Sequence, residues 1–242
     1  MTYDLGERKE DVKRNSILAA GALALLAFAA PAMAANSLTV TAGAALEGDF
    51  GLSVNIDGAD NNDDAYVVTA HPSGETTYNF SFRVYPGTLN MDASAALRYF
   101  VMGNIRKATP DRNFMFIYMM KQADGWWSLQ ANARQDNGAF QPWQVPVKIC
   151  NPSAGSAIPC STIDYVEFRY EWSASTGPGA NNGQLLVYRD GILARTFSGL
   201  DNDTHTVEEA WFGAVFMANP THNSPGVQAS GSYFFDEFVS LR

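Results

Sequence analysis

Residues 165–172 read Tyr-Val-Glu-Phe-Arg-Tyr-Glu-Trp. On an extended backbone Val166, Phe168, Tyr170 and Trp172 fall on one side, and Tyr165, Glu167, Arg169 and Glu171 on the other. Successive strand side chains point to opposite faces, so this period of two predicts a strand buried on one side. Residues 76–85 repeat the pattern, with Tyr78, Phe80, Phe82 and Val84 inward and Asn79, Ser81 and Arg83 outward. Residues 186–193, Leu-Val-Tyr-Arg-Asp-Gly-Ile-Leu, place an Asp-Gly pair between two apolar runs. Both positions of a two-residue hairpin turn need positive φ, which Asp tolerates and Gly adopts freely, so Asp190-Gly191 predicts a hairpin.

Outward from these segments the same texture continues. Short aromatic and β-branched runs predict strands at 37–41, 51–56, 66–70, 76–85, 95–102, 113–121, 126–134, 165–173, 184–189, 192–198, 209–217 and 231–241. Helical periodicity is almost absent after Ala34, so an antiparallel sandwich is expected and parallel βαβ units are not. Residues 35–242 suit one all-β domain, since sandwiches of this length commonly do not divide. The segments 58–64, 141–162, 174–183 and 218–230 are rich in Pro, Gly, Asn and Asp and read as loops. Most large aromatics are expected in the core, among them Trp172, Trp211, Phe80, Phe82, Phe168 and Phe234.

Residues 1–34 do not read as part of this fold. Arg8, Lys9, Lys13 and Arg14 precede an uncharged apolar run from Ser16 to Ala30, followed by Ala32-Met33-Ala34. A basic start, a short apolar stretch and small residues before a cleavage point compose a secretory signal peptide, with cleavage expected after Ala34. The run is shorter than the roughly 20 apolar residues that span a bilayer, which weighs against the alternative of an uncleaved anchor. A secreted, periplasmic or cell-surface location follows, with no membrane span after cleavage.

The chain carries a formal net charge of −9, and Asp4, Glu7, Glu10 and Asp11 balance the basic residues of the leader. The mature part is therefore acidic, without the basic footprint that nucleic acid requires. Cys150 and Cys160 close a loop rich in Pro, Ser and Gly, and in an exported chain such a pair reads as a disulfide.

Three stretches carry a resemblance. Ser-Thr-Gly-Pro-Gly-Ala-Asn-Asn-Gly-Gln-Leu-Leu-Val-Tyr-Arg-Asp-Gly-Ile-Leu-Ala-Arg-Thr-Phe-Ser-Gly-Leu-Asp-Asn-Asp-Thr at 175–204 and Gly-Ser-Tyr-Phe-Phe-Asp-Glu-Phe-Val-Ser-Leu-Arg at 231–242 resemble the bacterial concanavalin A-like lectin/glucanase superfamily. Glu-Gly-Asp-Phe-Gly-Leu-Ser-Val-Asn-Ile-Asp-Gly at 47–58 is similar to the opening strands of the same domains. The resemblance implies a jelly roll of LamG-like type: two stacked, curved antiparallel sheets, the concave one often forming a glycan groove. It does not assign an activity, because this fold hosts glucanases, lyases, lectins and structural modules.

A retaining glucanase needs two carboxyl groups about 5 Å apart. The superfamily's usual Glu-x-Asp-x-x-Glu string is absent. Glu167 and Glu171 share a face with Arg169 between them, but residues four apart on a strand are separated by about 13 Å. A cross-strand charge ladder is the favoured reading of these three, and a groove-lining ligand contact is the alternative. Glu208-Glu209 and Asp236-Glu237 are adjacent pairs pointing to opposite faces. A lyase of this fold would gather Arg, Gln, His and Tyr, for which Arg83, Gln130, His71 and Tyr118 are the candidates. His205 and His222 fall in loops, where a solvated histidine is the simpler expectation.

Calcium is the ion best suited to the acidic loops, as a structural cofactor. Asp57, Asp60, Asp63 and Asp64 pack four carboxylates beside Asn61 and Asn62. A second set uses Glu47 and Asp49 with Asp236 on the last strand, where the resemblance implies neighbouring first and last strands tied by calcium. Asp201-Asn202-Asp203 is a third acidic loop. A solvated Asx-rich turn is the simpler reading of each set taken singly, since Asp and Asn favour turns without any metal. For glycan contact, adjacent Trp126 and Trp127 must face opposite sides, and the outward one is a stacking candidate together with Trp143 and Tyr99. These readings favour an exported carbohydrate-binding or surface-associated module over a polysaccharide-degrading enzyme or a structural, adhesive protein.

Overall fold

The computed structural model describes residues 36–58, 63–91, 97–108, 112–141, 144–153, 156, 158, 160, 165–217 and 229–241. The leader lies outside the described residues, as do Asp60, Trp143 and His222. Among the described residues, fourteen strands form two antiparallel sheets. One sheet contains β1 (Ser37–Thr41), β2 (Gly51–Ile56), β4 (Thr77–Tyr85), β10 (Val166–Ser173), β11 (Gly183–Arg189), β12 (Ile192–Leu200) and β14 (Ala229–Leu241). Its order is β1-β2-β14-β4-β10-β11-β12, and the two-residue β5 (Asn90–Met91) pairs with β14 as its eighth strand. The other sheet contains β3 (Ala65–Glu75), β6 (Leu97–Lys107), β7 (Arg112–Gln122), β8 (Trp127–Ala133), β9 (Val147–Cys150) and β13 (Val207–Val215). Its order is β3-β13-β6-β7-β8-β9. The chain is a jelly-roll sandwich of all-β class.

The alternation read in β4 and β10 places their apolar sides between the sheets. Phe82 lies opposite Phe168, Phe80 opposite Tyr170, and Tyr78 opposite Trp172. Phe212 of the other sheet sits 5.6 Å from the Phe80 ring and 5.8 Å from Phe82. Two strands whose inward residues are three aromatics and a valine each thus face a further aromatic across the sandwich, the interdigitation expected of packed sheets.

The predicted hairpin joins β11 to β12, with Asp190 and Gly191 at φ of 50° and 77°. Asp190 also accepts the Glu167 N–H through Oδ1 at 3.1 Å, while its own N–H donates to the Glu167 carbonyl at 2.9 Å. The turn therefore anchors the start of β10 as well as reversing the chain.

Four expectations need correction. β9 lies where a loop was expected, because four residues beside prolines give no readable period, and His205 is buried where a solvated histidine was expected. Trp211 and Phe234 are half-buried on outer faces, not core residues. In each case the neighbours decide it: Phe212 takes the core side of β13, and Tyr233 and Phe235 take the core side of β14.

Cys150, at the end of β9, bonds to Cys160 with a Cα–Cα distance of 5.0 Å. The closed loop spans a sequence separation of 10, for which loop-closure entropy gives about 2–3 kcal/mol of stabilisation. Replacing both cysteines by serine is expected to lower the unfolding free energy by that amount in urea titration. A change below experimental error would show that the loop is already ordered without the bond.

Candidate functional site

The outer face of the six-stranded sheet departs from the usual polar exterior. On β7, Met115, Ile117 and Met119 face the core, so the intervening Phe116, Tyr118 and Met120 face outward. These three form a second apolar cluster with Val101 and Val215, against which Tyr66, Tyr99, Phe140, Trp211 and Phe216 pack. Register then fills the face with polar groups: Asn132 lies opposite Phe116, Gln130 opposite Tyr118, and Ser128 opposite Met120.

Exposure changes across this face. Tyr118, Gln130 and Asn132 are 3–4% exposed. Toward β13 and β3 it opens, with Trp211, Tyr66, Arg106 and Glu209 half-buried and Val68 exposed.

At the buried centre, Asn132 donates to the Tyr118 hydroxyl at 3.3 Å. Burial pushes the Tyr118 phenol up to about 12, against the pull of the Asn132 bond and with a smaller contribution from Tyr99. It is therefore a neutral proton donor at physiological pH, not a base. Asn104, opposite Phe116 on β6, donates to Asn113 Oδ1 at 2.8 Å.

At the open side, Tyr66 stacks on Trp211 with centroids 4.5 Å apart and rings within 10° of parallel. The Arg106 guanidinium carbon lies 4.2 Å from the Trp211 centroid. The indole N–H donates to Glu209 at 3.0 Å, and Arg106 Nε is 3.7 Å from the same carboxylate oxygen. An aromatic pair with a guanidinium over the indole ring and a carboxylate at the indole N–H can offer a ligand apolar contact together with directional hydrogen bonds. A sequence signal exists: Trp211 is two residues from Glu209, so both share a face, and the carboxylate marks that face as the one turned to solvent.

The residues singled out from sequence are dispersed. Of the four lyase candidates, the fold brings together only Tyr118 and Gln130. Arg83 lies on the eight-stranded sheet, ion-paired to Glu47 and 4.9 Å over Tyr165. His71 is edge-on to Tyr78 at 4.6 Å. Glu167, Arg169 and Glu171 lie opposite Arg83, Ser81 and Asn79 on the outer side of the eight-stranded sheet. There Arg169 pairs with Glu171 and stacks on Tyr188 at 3.7 Å, while the Tyr188 hydroxyl donates to Glu171 at 3.2 Å. Trp127 is a core residue, and Trp126 is half-buried beneath Lys148 Nζ at 4.2 Å.

The acidic candidates also separate. Asp236 accepts the Leu46, Glu47 and Glu237 main-chain N–H groups at 2.8–3.0 Å, clamping the segment before β2 to the last strand. Asp64 accepts from the Met217 N–H at 2.7 Å. Asp57 and the Asp63 carbonyl are bridged by the Asn36 side chain, and Asp49 lies in the bend before β2. Among the described residues, the one group of three metal-ligating side chains with ligand atoms within 4.8 Å of one another is Asp136, Asp201 and Asp203. Two of these belong to the third acidic loop. Asp136 is 65 residues earlier and gave no sequence signal.

No protein-family model matches the chain, and no curated protein matches it either. Solved structures do. An endo-β-1,4-glucuronan lyase from the fungus Trichoderma reesei is similar at 12% identity and TM-score 0.52, over 85% of this chain and 86% of that one. The binding domain of botulinum neurotoxin DC in complex with rat synaptotagmin II is similar at 12% identity and TM-score 0.51, over 85% of this chain. The same toxin domain in complex with SialylT aligns at 11% identity and TM-score 0.50. The chain spans 42–43% of those toxin structures. What it shares with all three is the jelly-roll sandwich, in agreement with the concanavalin A-like fold read from its own sequence.

Proposed function

We propose that the chain is an exported glycan-binding module whose binding face is the outer side of the six-stranded sheet. The observation that carries this reading is the half-exposed Tyr66–Trp211 stack, set beside Arg106 and Glu209 where that face opens to solvent. Binding sites of this kind combine aromatic surface with a few directional polar groups. The disulfide suits an oxidising compartment and supports export with removal of residues 1–34. Among the described residues no helix is long and apolar enough to cross a membrane. The structural neighbours named for glucuronan cleavage and for SialylT binding support a carbohydrate ligand.

A glycan array followed by calorimetry on the tightest ligand tests this reading. Trp211→Ala is expected to weaken binding tenfold or more, equivalent to about 1.4 kcal/mol, while Trp126→Ala leaves it within twofold. An array without a ligand for the folded protein, or equal affinity for Trp211→Ala and the parent, refutes it.

The Tyr118–Asn132–Gln130 group favours a second reading, a polysaccharide lyase with an atypical centre. With the two amides holding a substrate carboxylate, solvent base would remove the C5 proton, the C4–O bond would break, and the neutral phenol would protonate the leaving glycosidic oxygen and regain its proton from water. Ultraviolet absorbance of unsaturated products from a polyuronate panel, lost in Tyr118→Phe, would select this reading over simple binding.

A further inference from the structure

At the end of the sandwich holding the turn after β8 and the β12–β13 connection, three carboxylates meet that the glycan face does not use. Asp136 comes from the first segment, and Asp201 and Asp203 from the second. The two segments are already joined, since the Asp136 N–H donates to the Asp201 carbonyl at 2.7 Å. The Thr204 hydroxyl and N–H both donate to Asp136 Oδ1, at 2.5 and 3.3 Å. Asp201 Oδ1 accepts the Gly179 N–H at 2.9 Å.

Asn202, between the two aspartates, is fully buried. Its Oδ1 accepts the Ser175 N–H at 2.7 Å, and its own N–H donates to Ser175 Oγ at 3.2 Å. Burial of this middle residue fixes the positions of its two acidic neighbours. Among the described residues, no Lys or Arg forms an ion pair with any of the three carboxylates.

A second observation points the same way. His205 is 1% exposed and lies flat on Phe114, with centroids 5.3 Å apart and rings 9° from parallel. Neither ring nitrogen has a hydrogen-bond partner. Nε2 points at the cluster, 3.7 Å from Asp136 Oδ1. The Gln135 main chain and the Arg112 and Arg134 side chains also lie around the ring. A buried polar side chain is almost always satisfied, and an imidazole against a ligating carboxylate is a common orienting partner in metal sites.

We propose that Asp136, Asp201 and Asp203 bind one divalent hard cation of the calcium class, with His205 as the buried partner that orients the Asp136 carboxylate. The three carboxylates supply at least one oxygen each, and water completes the shell of six to eight that calcium takes. Oxygen donors on two loops suit calcium better than magnesium, which demands near-ideal octahedral geometry. Zinc would want nitrogen or sulfur ligands. The ion ties β8 of one sheet to β12 of the other. The segment carrying Asp136 also carries Phe140, which packs against Phe116 on the glycan face.

Calorimetry and thermal unfolding of the intact protein, stripped with chelator and titrated with calcium chloride, test the site. One ion per chain is expected, with a rise in Tm that chelator reverses. Asp203→Asn and Asp201→Asn are each expected to weaken binding tenfold or more, while Asp63→Asn leaves it unchanged. Asp201→Asn retains Oδ1 as acceptor for Gly179, so its fold is preserved and far-UV circular dichroism verifies this. The proposal fails if no heat or Tm shift is seen well above the ~10⁻³ M of weak extracellular calcium modules. It also fails if binding survives both aspartate variants, or disappears only in Asp63→Asn.

Discussion

Phe82→Ala is expected to cost about 3–5 kcal/mol, a large share of the 5–15 kcal/mol that holds a typical domain folded. The ring is fully buried in the middle of β4. It touches aromatics on every side: Phe235 at 4.8 Å, Tyr170 and Phe212 at 5.8 Å, Phe168 at 6.2 Å and Phe80 at 6.3 Å. These neighbours sit on strands of both sheets, each held in register by its own ladder, so they cannot close over the space left behind. The cost then contains both lost transfer energy and a cavity that persists. Phe234→Ala supplies the contrast. It removes the same side chain from the outer face of β14, where solvent fills the space, and should cost well under half as much. Urea titration at unchanged m-value measures both. Equal losses at the two positions would mean that the sandwich interior relaxes freely and that the aromatic layer is not what fixes the sheets together.

This contrast also marks what the sequence makes legible. Phe82 belongs to a run in which every second residue is aromatic or β-branched and the others are polar, so its side follows from period alone. Tyr233, Phe234 and Phe235 are three aromatics in succession. Hydrophobicity cannot say which of them turns outward, and β14 settles it by pairing with β2 and β4. Trp211 is the functional counterpart. Its neighbour Phe212 competes for the core, and Glu209 shows which side is wet, but only the pairing of β13 with β3 and β6 brings Tyr66 and Arg106 to the indole. Hairpin and disulfide were readable because their determinants are local, a turn dipeptide and a short loop between two cysteines. The acidic triad was half readable for the same reason: Asp201 and Asp203 share a loop, whereas Asp136 reaches them through the stacking of the two sheets. Long-range register is what period and composition do not encode, and both candidate sites are built from it.

Raising the pH from 9 to 11 is expected to remove about 4 kcal/mol of stability through three tyrosines. Burial pushes the phenols of Tyr118, Tyr170 and Tyr233 up, to about 12 for Tyr118. Their ordinary value in the unfolded chain is about 10. A raised folded value means that the folded state keeps the proton after the unfolded state has lost it. The stability contributed is therefore complete below pH 10 and falls as pH rises beyond it, by about 1.4 kcal/mol per unit for each phenol still neutral in the fold. For Tyr118 the loss levels off near pH 12. Tyr170 and Tyr233 go on losing, because their hydroxyls are fully buried and have no hydrogen-bond partner. That last feature makes the control clean. Tyr170→Phe and Tyr233→Phe remove an unsatisfied hydroxyl and leave the ring in place, so at pH 7 each should be neutral or slightly stabilising. The double variant should lose only about 1.4 kcal/mol between pH 9 and 11, since Tyr118 alone still titrates differently in the two states. Unfolding free energies at the two pH values, with phenolate absorbance followed in parallel, separate the outcomes. If the double variant loses as much stability as the parent, alkaline unfolding is driven by deprotonation of surface lysines, and burial of these phenols is not what sets the limit.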